Sequence, residues 1–402
     1  MQVSIRAVAK LAIGALTSGL LLSGAGASAQ DIKIALISSK TGPLEAYAKQ
    51  TETGFNLGLE YLTQGTMTLN GRKIVVLSKD DQGKPDIAKS LLEQSYADDK
   101  VDLAVGTTAS GSALAMLPVA EDAKKILIVE PAVADSITGD KWNRYIFRTA
   151  RNSTQDALAG AVALGTGDVS VATLAQDYAF GRDGVSAIKD ALAATKSKAK
   201  VVFEEYAPQN TTDFTASAQR IFDALKDKPG RKVLVIIWAG ASPFSKIMEL
   251  KPDRFGIEVA PGGNILPVMK SYKPYPGIEG SVYYYYGFPK NPMNDWLVAE
   301  HRKRFGVPPD FFTAGGMAAA SAAITAIKKA NSTDTEKLIT AMEGMEFDTP
   351  KGKMTLRKED HQALQAMYQF KVKSSGKDEW DLLDLVREIP SSEIPVPIRN
   401  KR

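Results

Sequence analysis

The chain contains no cysteine among its 402 residues and only two histidines. The first absence excludes a disulfide framework, thiol chemistry and lipid attachment at an N-terminal cysteine. The histidines, His301 and His361, stand far apart, each among charged neighbours that suggest exposure, so a histidine-based metal site is not expected. A dominant charge is lacking too: 50 Lys and Arg stand against 46 Asp and Glu. No basic cluster offers a nucleic-acid footprint. Past the N-terminus no apolar run approaches the roughly 20 residues that a membrane span needs. There is no G-x-S-x-G elbow, no H-E-x-x-H and no Walker A loop, so nothing points to an enzyme or calls for a cofactor.

What is present begins with a secretory signal. Arg6 and Lys10 form a basic head, Leu11–Leu22 an apolar core, and Ala27-Ser28-Ala29 a small-residue cleavage site. Residues 1–29 are expected to be removed, which leaves a nearly neutral, freely soluble periplasmic chain. Without disulfides its core must carry stability unaided, which a chain of this length can do.

The mature chain is organised around Asp102 to Asp135. Val101–Val105 is a β-rich run, Gly106-Thr107-Thr108-Ala109-Ser110-Gly111 turns the chain, and Ser112–Asp122 has helical spacing. Ile126–Val129 is a second strand, stopping at Glu130-Pro131. In a parallel α/β sheet both small-residue turns meet at the carboxyl edge, where open sheets bind ligands. Ser110 falls at the expected N-cap, where its hydroxyl and the free N–H groups of the first turn suit a small anion. A mere capping role is the plain alternative.

The order β-α-β-α-β-α-β before residue 150 restarts after it, which implies two lobes with separate sheets. Val233–Trp238 reads as a buried parallel strand. Val282–Tyr286 reads as a strand carrying Tyr283 to Tyr286, two on each face, with packing the plainer role for them. A transcription regulator of similar layout would need a helix-turn-helix where the signal sits. A receptor ectodomain would need a membrane helix after the lobes.

The landmarks Thr41-Gly42-Pro43 with Tyr47, Asp80-Asp81, Gly106 with Ser110, Glu130-Pro131-Ala132, Phe147-Arg148-Thr149, Phe180-Gly181 and Asp360-His361-Gln362-Ala363 follow in order from Lys33 to about Lys373. In these the chain resembles the leucine/isoleucine/valine-binding proteins of branched-chain amino acid ABC importers. The resemblance implies a type I periplasmic binding fold, α/β, with two Rossmann-like lobes of parallel-rich sheet. Three hinge crossings are implied near Thr149, Ser281–Tyr286 and Leu356–Ala363. The first lobe would comprise residues 30–149 and 281–357, and the second 150–280 and 358–388, with 389–402 a strap or disordered tail. The implied partners are a small carboxylate ligand and, transiently, an inner-membrane ABC permease, with the protein acting as a monomer.

The resemblance also implies a pocket. Tyr47, Thr108, Ala109 and Ser110 line the first lobe, with Ala132, Val133 and Ala134 in the next loop. Phe180, Gly240 and Gly262 face them from the second lobe, and Phe312 is an aromatic wall; Trp238 is a further candidate wall, with core packing at the strand end its plainer role. Two departures matter. The family's amino-acid binders usually carry Thr where Ala134 stands and a glutamate where Gly262 stands, and these hold the α-ammonium. A buried ammonium without partners costs several kcal/mol, so the expected ligand is an aromatic or hydrophobic carboxylic acid without an α-amine. Glu258 and Glu279 are the nearby substitutes for the missing glutamate.

Overall fold

The computed structural model describes residues 30–164, 167–195 and 198–401, so the expected signal segment lies outside them. Strand β1 (Ile32–Ser38) is apolar at nearly every position because both its faces are buried. The six-stranded first sheet has the order β2 (Thr68–Leu69), β3 (Arg72–Asp80), β1, β4 (Leu103–Gly106), β5 (Leu127–Val129), β6 (Ile146–Arg148). All its pairs are parallel except β2 with β3. Helices α1 (Glu45–Leu62), α2 (Pro85–Ala97) and α3 (Ser110–Ala123) connect these strands.

The pattern repeats with α4 (Ser153–Leu164), β7 (Val169–Gln176), α5 (Ala179–Ala194), β8 (Lys200–Ala207), α6 (Thr215–Leu225), β9 (Arg231–Ile237), α7 (Phe244–Glu249), β10 (Ile257–Ala260) and α8 (Leu266–Met269). Its sheet is parallel in the order β10-β9-β7-β8. There follow β11 (Glu279–Val282), α9 (Pro292–Phe305), α10 (Phe311–Ala330), α11 (Thr335–Met342), β12 (Glu346–Thr349), β13 (Gly352–Leu356), β14 (Ala363–Leu364), β15 (Met367–Val372) and β16 (Leu383–Ile389). Antiparallel sheets β11-β15-β16 and β12-β13-β14 complete the fold. One core joins Leu36 and Phe147 to Ile324 of α10, and the other joins Leu174 and Phe222 to Phe370 of β15. The chain thus passes between lobes after β6, after β11 and between β14 and β15.

Small residues let α10 lie directly on α1. A Cβ on Gly54 would sit 1.9 Å from the carbonyl oxygen of Thr313, and one on Gly316 2.0 Å from that of Thr51. This helix corrects the expectation that no late apolar run has the length of a membrane span. It is 20 residues long and apolar, yet its hydrophobic surface is buried inside the protein.

Other expectations change as well. The tyrosine run is not a strand: β11 ends at Val282, and Tyr283 to Tyr286 form the irregular crossing to the first lobe. Both histidines are buried rather than exposed. His361 stacks on Phe147 at 3.9 Å, and His301 Nδ1 lies 2.8 Å from the carbonyl oxygen of Val307. The tail beyond β16, by contrast, takes the strap form of the two expected: Arg399 donates to Asp190 of α5 at 2.6 Å, and the carbonyl of Val396 accepts from Arg357 at 2.7 Å.

Candidate ligand-binding cleft

The first-lobe wall begins where β4 ends. Gly106 adopts φ +155°, and a Cβ there would lie 2.3 Å from the carbonyl oxygen of Ile37, so only glycine fits. Beyond it the Thr107 hydroxyl donates to Asp81, while Thr108 Oγ1 accepts the Ser39 N–H at 3.1 Å. Asp80 accepts the Lys40 N–H at 2.8 Å and the Thr41 hydroxyl at 2.9 Å. These bonds between three strand ends fix the turn that launches α3, although the Ser38 and Ser39 hydroxyls at the end of β1 have no partner among the described residues.

Ser110 is the first helical residue of α3, and the N-cap is Ala109, which corrects the expected placement by one position. No side chain caps this helix. Ser110 Oγ instead accepts the N–H groups of Val133 at 3.3 Å and Ala134 at 3.2 Å. Its hydroxyl proton remains to be donated, at the positive end of α3.

The hinge side of the cleft holds charges. Arg151 lies 4.6 Å from the ring centroid of Phe311 and 5.6 Å from that of Tyr283, and its Nε donates to Asp156 at 3.1 Å. Behind it, Glu130 accepts the Thr149 hydroxyl at 2.8 Å, and burial pushes its pKa up to about 7. Lys351 is also buried, which lowers its pKa well below the usual lysine value. Its ammonium donates to Gln365 at 2.8 Å and sits 3.7 Å over the ring of Tyr283.

The second-lobe wall is mostly apolar. Trp238 follows β9 and meets Phe214 edge-on at 5.1 Å, and Phe180 sits in the first turn of α5. Gly262, at φ +68°, has no atom within 4 Å of where a Cβ would stand. The lobes are closed on each other. Tyr47 Oη accepts the Gly240 N–H at 2.8 Å and donates to Asn264 Oδ1 at 3.1 Å, and its ring stacks on Phe312 at 4.2 Å. Burial lifts the Tyr47 pKa to about 12, so this clasp stays protonated at neutral pH. Nearby, Asp310 accepts the N–H groups of Phe311 at 2.7 Å and Leu266 at 2.9 Å. On the other flank the Ser136 hydroxyl donates to Asp183 at 3.0 Å.

Between the walls lies a cavity of about 720 Å³. Of the residues named from the sequence, Tyr47, Thr108, Ser110, Ala132, Val133, Phe180, Trp238, Gly262 and Phe312 border it. Ala109, Ala134 and Gly240 do not: Ala109 is turned to the helix start, while the backbones of Ala134 and Gly240 serve Ser110 and Tyr47. Arg151, Asp156, Asn264 and Phe311 border it without having been named from the sequence, and so does Tyr283, for which packing was the plainer expectation. Neither substitute glutamate stands beside Gly262. Glu258 is ion-paired with Arg231 at 2.6 Å and in register with Val233, five residues before Trp238, or roughly 16 Å along the strand. Glu279 lies 3.6 Å from Lys371. Among the described residues no cluster of His, Asp or Glu is arranged to hold a metal ion.

A model of the family described as periplasmic binding protein matches residues 31–377. A Leu/Ile/Val-binding protein homolog 6 of Brucella abortus is 25% identical over 360 residues, spanning 86% of this chain and 89% of that protein. The crystal structure of an ABC-type branched-chain amino acid transporter from Rhodopseudomonas palustris CGA009 is 65% identical, with a TM-score of 0.81 over 92% of this chain and 100% of that one. A solute-binding protein of an ABC transporter from Rhodopseudomonas palustris BisB5, solved with 3,4-dihydroxybenzoic acid, is 29% identical, with a TM-score of 0.78 over 90% of this chain and 98% of that one. Two closed α/β lobes around a cleft, and this set of relatives, lead to one assignment: the chain belongs to the periplasmic binding protein family, as a substrate-binding protein of an ABC transporter of the branched-chain amino acid type.

Proposed function

We propose that the cleft captures an aromatic or hydrophobic carboxylic acid without an α-amine and delivers it to an inner-membrane ABC permease. The carrying observation is the set of donors gathered where α3 begins. The Ser110 hydroxyl, the start of α3 and the Arg151 guanidinium offer donors. The carboxylate facing them, Asp156, is already paired with Arg151. An incoming carboxylate finds donors, and each hydrogen bond to a charged group returns about 1.5–3 kcal/mol. An incoming ammonium would have to share Asp156, with Ala134 and Gly262 supplying no side-chain acceptor. The relative solved with 3,4-dihydroxybenzoic acid supports the same class. Ligand would settle on the first lobe and the second would close over it by hinge rotation. The closed form, with both lobe surfaces presented together, would then dock on the permease.

A second reading, an amino acid, is favoured by the presence of Asp156 at the cavity wall. Titration calorimetry separates the two. Benzoate or 3,4-dihydroxybenzoate is expected to bind at least tenfold tighter than leucine or valine, about 1.4 kcal/mol. Ser110→Ala is expected to weaken the aromatic acid by about 1.5–3 kcal/mol with the fold intact. Tight leucine binding without aromatic-acid binding overturns the proposal. Export is part of the same reading: intact mass of the periplasmic protein is expected to begin at Gln30, and a retained Met1 would refute cleavage.

A further inference from the structure

We propose that the cleft is the mouth of an apolar compartment inside the second lobe, and that the preferred ligand is a carboxylate whose extended apolar tail lies in it. This rests on the reading that the cleft holds a carboxylate and adds the shape of the rest of the molecule. The cavity that borders Ser110 does not stop at the interlobe surface. It continues between β9 and α4 as far as Arg231 and Glu258, at the opposite end of the strand from Trp238. Its volume of about 720 Å³ equals that of about two dozen waters at about 30 Å³ each, well beyond a single-ring acid.

Three observations mark the inner part as a place for a ligand's tail. Strand β9 lies between β10 and β7, where a parallel sheet normally has both faces covered by its own helices. Here Val233 and Val235 border the cavity, and Val235 is only half-buried. The facing helix presents Ala157, Gly160 and Ala161. At Gly160 a Cβ would meet a single atom, Ser281 Oγ at 4.0 Å, so the helix does not close down on the sheet there. Apart from Arg151 and Asp156 on the hinge side, the charged residues that border the cavity are Asp253, Glu279 and the mutually paired Arg231 and Glu258. Native interiors rarely leave apolar space of this extent unfilled by their own side chains. An alkyl or arylalkyl chain, running from a carboxylate at Ser110, matches both the walls and the length.

The test is a series of one head and growing tail: phenylacetate, phenylpropanoate, phenylpentanoate and phenyloctanoate, titrated into the mature protein by calorimetry. Affinity is expected to rise about fourfold for each methylene buried. Gly160→Phe would fill the compartment and is expected to reduce phenyloctanoate to the affinity of phenylacetate while leaving phenylacetate unchanged. A flat series on the wild-type protein overturns the compartment and leaves the carboxylate reading standing. A tail gain that persists in a folded Gly160→Phe variant also overturns it, because the tail then lies elsewhere. Binding of none of the acids overturns both.

Discussion

The two walls of the cleft are built on opposite principles. On the first-lobe side, Thr107, Thr108, Asp80 and Asp81 bond to one another and to the backbone at the ends of β1, β3 and β4. On the second-lobe side, Trp238, Phe180 and the Gly262 turn present aromatic and backbone surface with space around it. A wall whose strand ends are bonded to one another in this way is stiff, and changing it strains the fold. A wall with room around it tolerates substitution and registers the change in what it binds. On the proposed reading, anchoring would belong to the first lobe and selection by size to the second.

A matched pair of glycine substitutions gives the largest expected contrast. Gly106→Ala would place a Cβ 2.3 Å from the Ile37 carbonyl oxygen, so the strand end must shift. A loss of more than about 3 kcal/mol is expected in denaturant unfolding. Gly262→Ala meets no atom within 4 Å and carries only the backbone penalty of its positive φ, about 1–2 kcal/mol. Equal losses would mean that the walls do not differ in rigidity.

Legibility in the sequence followed the same division. Ser110 opens the helix that β4 launches, so local pattern was enough to place it at the sheet edge, whereas Ala132 and Val133 were named through the family resemblance. Arg151, Asp156 and Asn264 reach the cavity only because the lobes fold against each other, which no local pattern encodes. The tyrosine run read as a strand from its β propensity, but at Val282 the chain leaves the sheet to cross lobes, and tertiary demand overrode propensity. The charged neighbours of His361 suggested exposure, yet His361 is wholly buried. Its ring instead packs against Phe147 in the hinge.

The hinge carboxylate gives the next effect, and its sign is definite. Burial raises Glu130 from an ordinary 4.5 to about 7 in the fold. Its favourable contribution is therefore complete below the unfolded value and lost as pH rises through about 7, a change of about 3 kcal/mol. Asp310, also raised to about 7 by burial, acts in the same direction. Wild-type melting temperature is expected to fall between about pH 5 and 8 more steeply than that of Glu130→Gln. Parallel pH profiles would show that Glu130 does not titrate differently in the fold.

The smallest effect tests whether the two walls are coupled through Tyr47. Tyr47→Phe keeps the stacking on Phe312 but removes the acceptor of the Gly240 N–H and a donor to Asn264. Asn264 Oδ1 retains the Ile265 N–H at 2.8 Å, so the main loss is one backbone donor left without a partner. In an open form water would satisfy Gly240, so the loss falls on the closed form alone. Closure is part of binding, and the expected result is a weakening of about 1 kcal/mol, roughly fivefold, for an aromatic acid by calorimetry. The unliganded melting temperature would move little, because each lobe keeps its own core. The Tyr47 hydroxyl, with its pKa near 12, does not titrate near neutrality, so this weakening should be the same at pH values on either side of the Glu130 transition. Unchanged affinity in Tyr47→Phe would leave Asp310 and Ser136 to hold the lobes together and would remove Tyr47 from the closing contact.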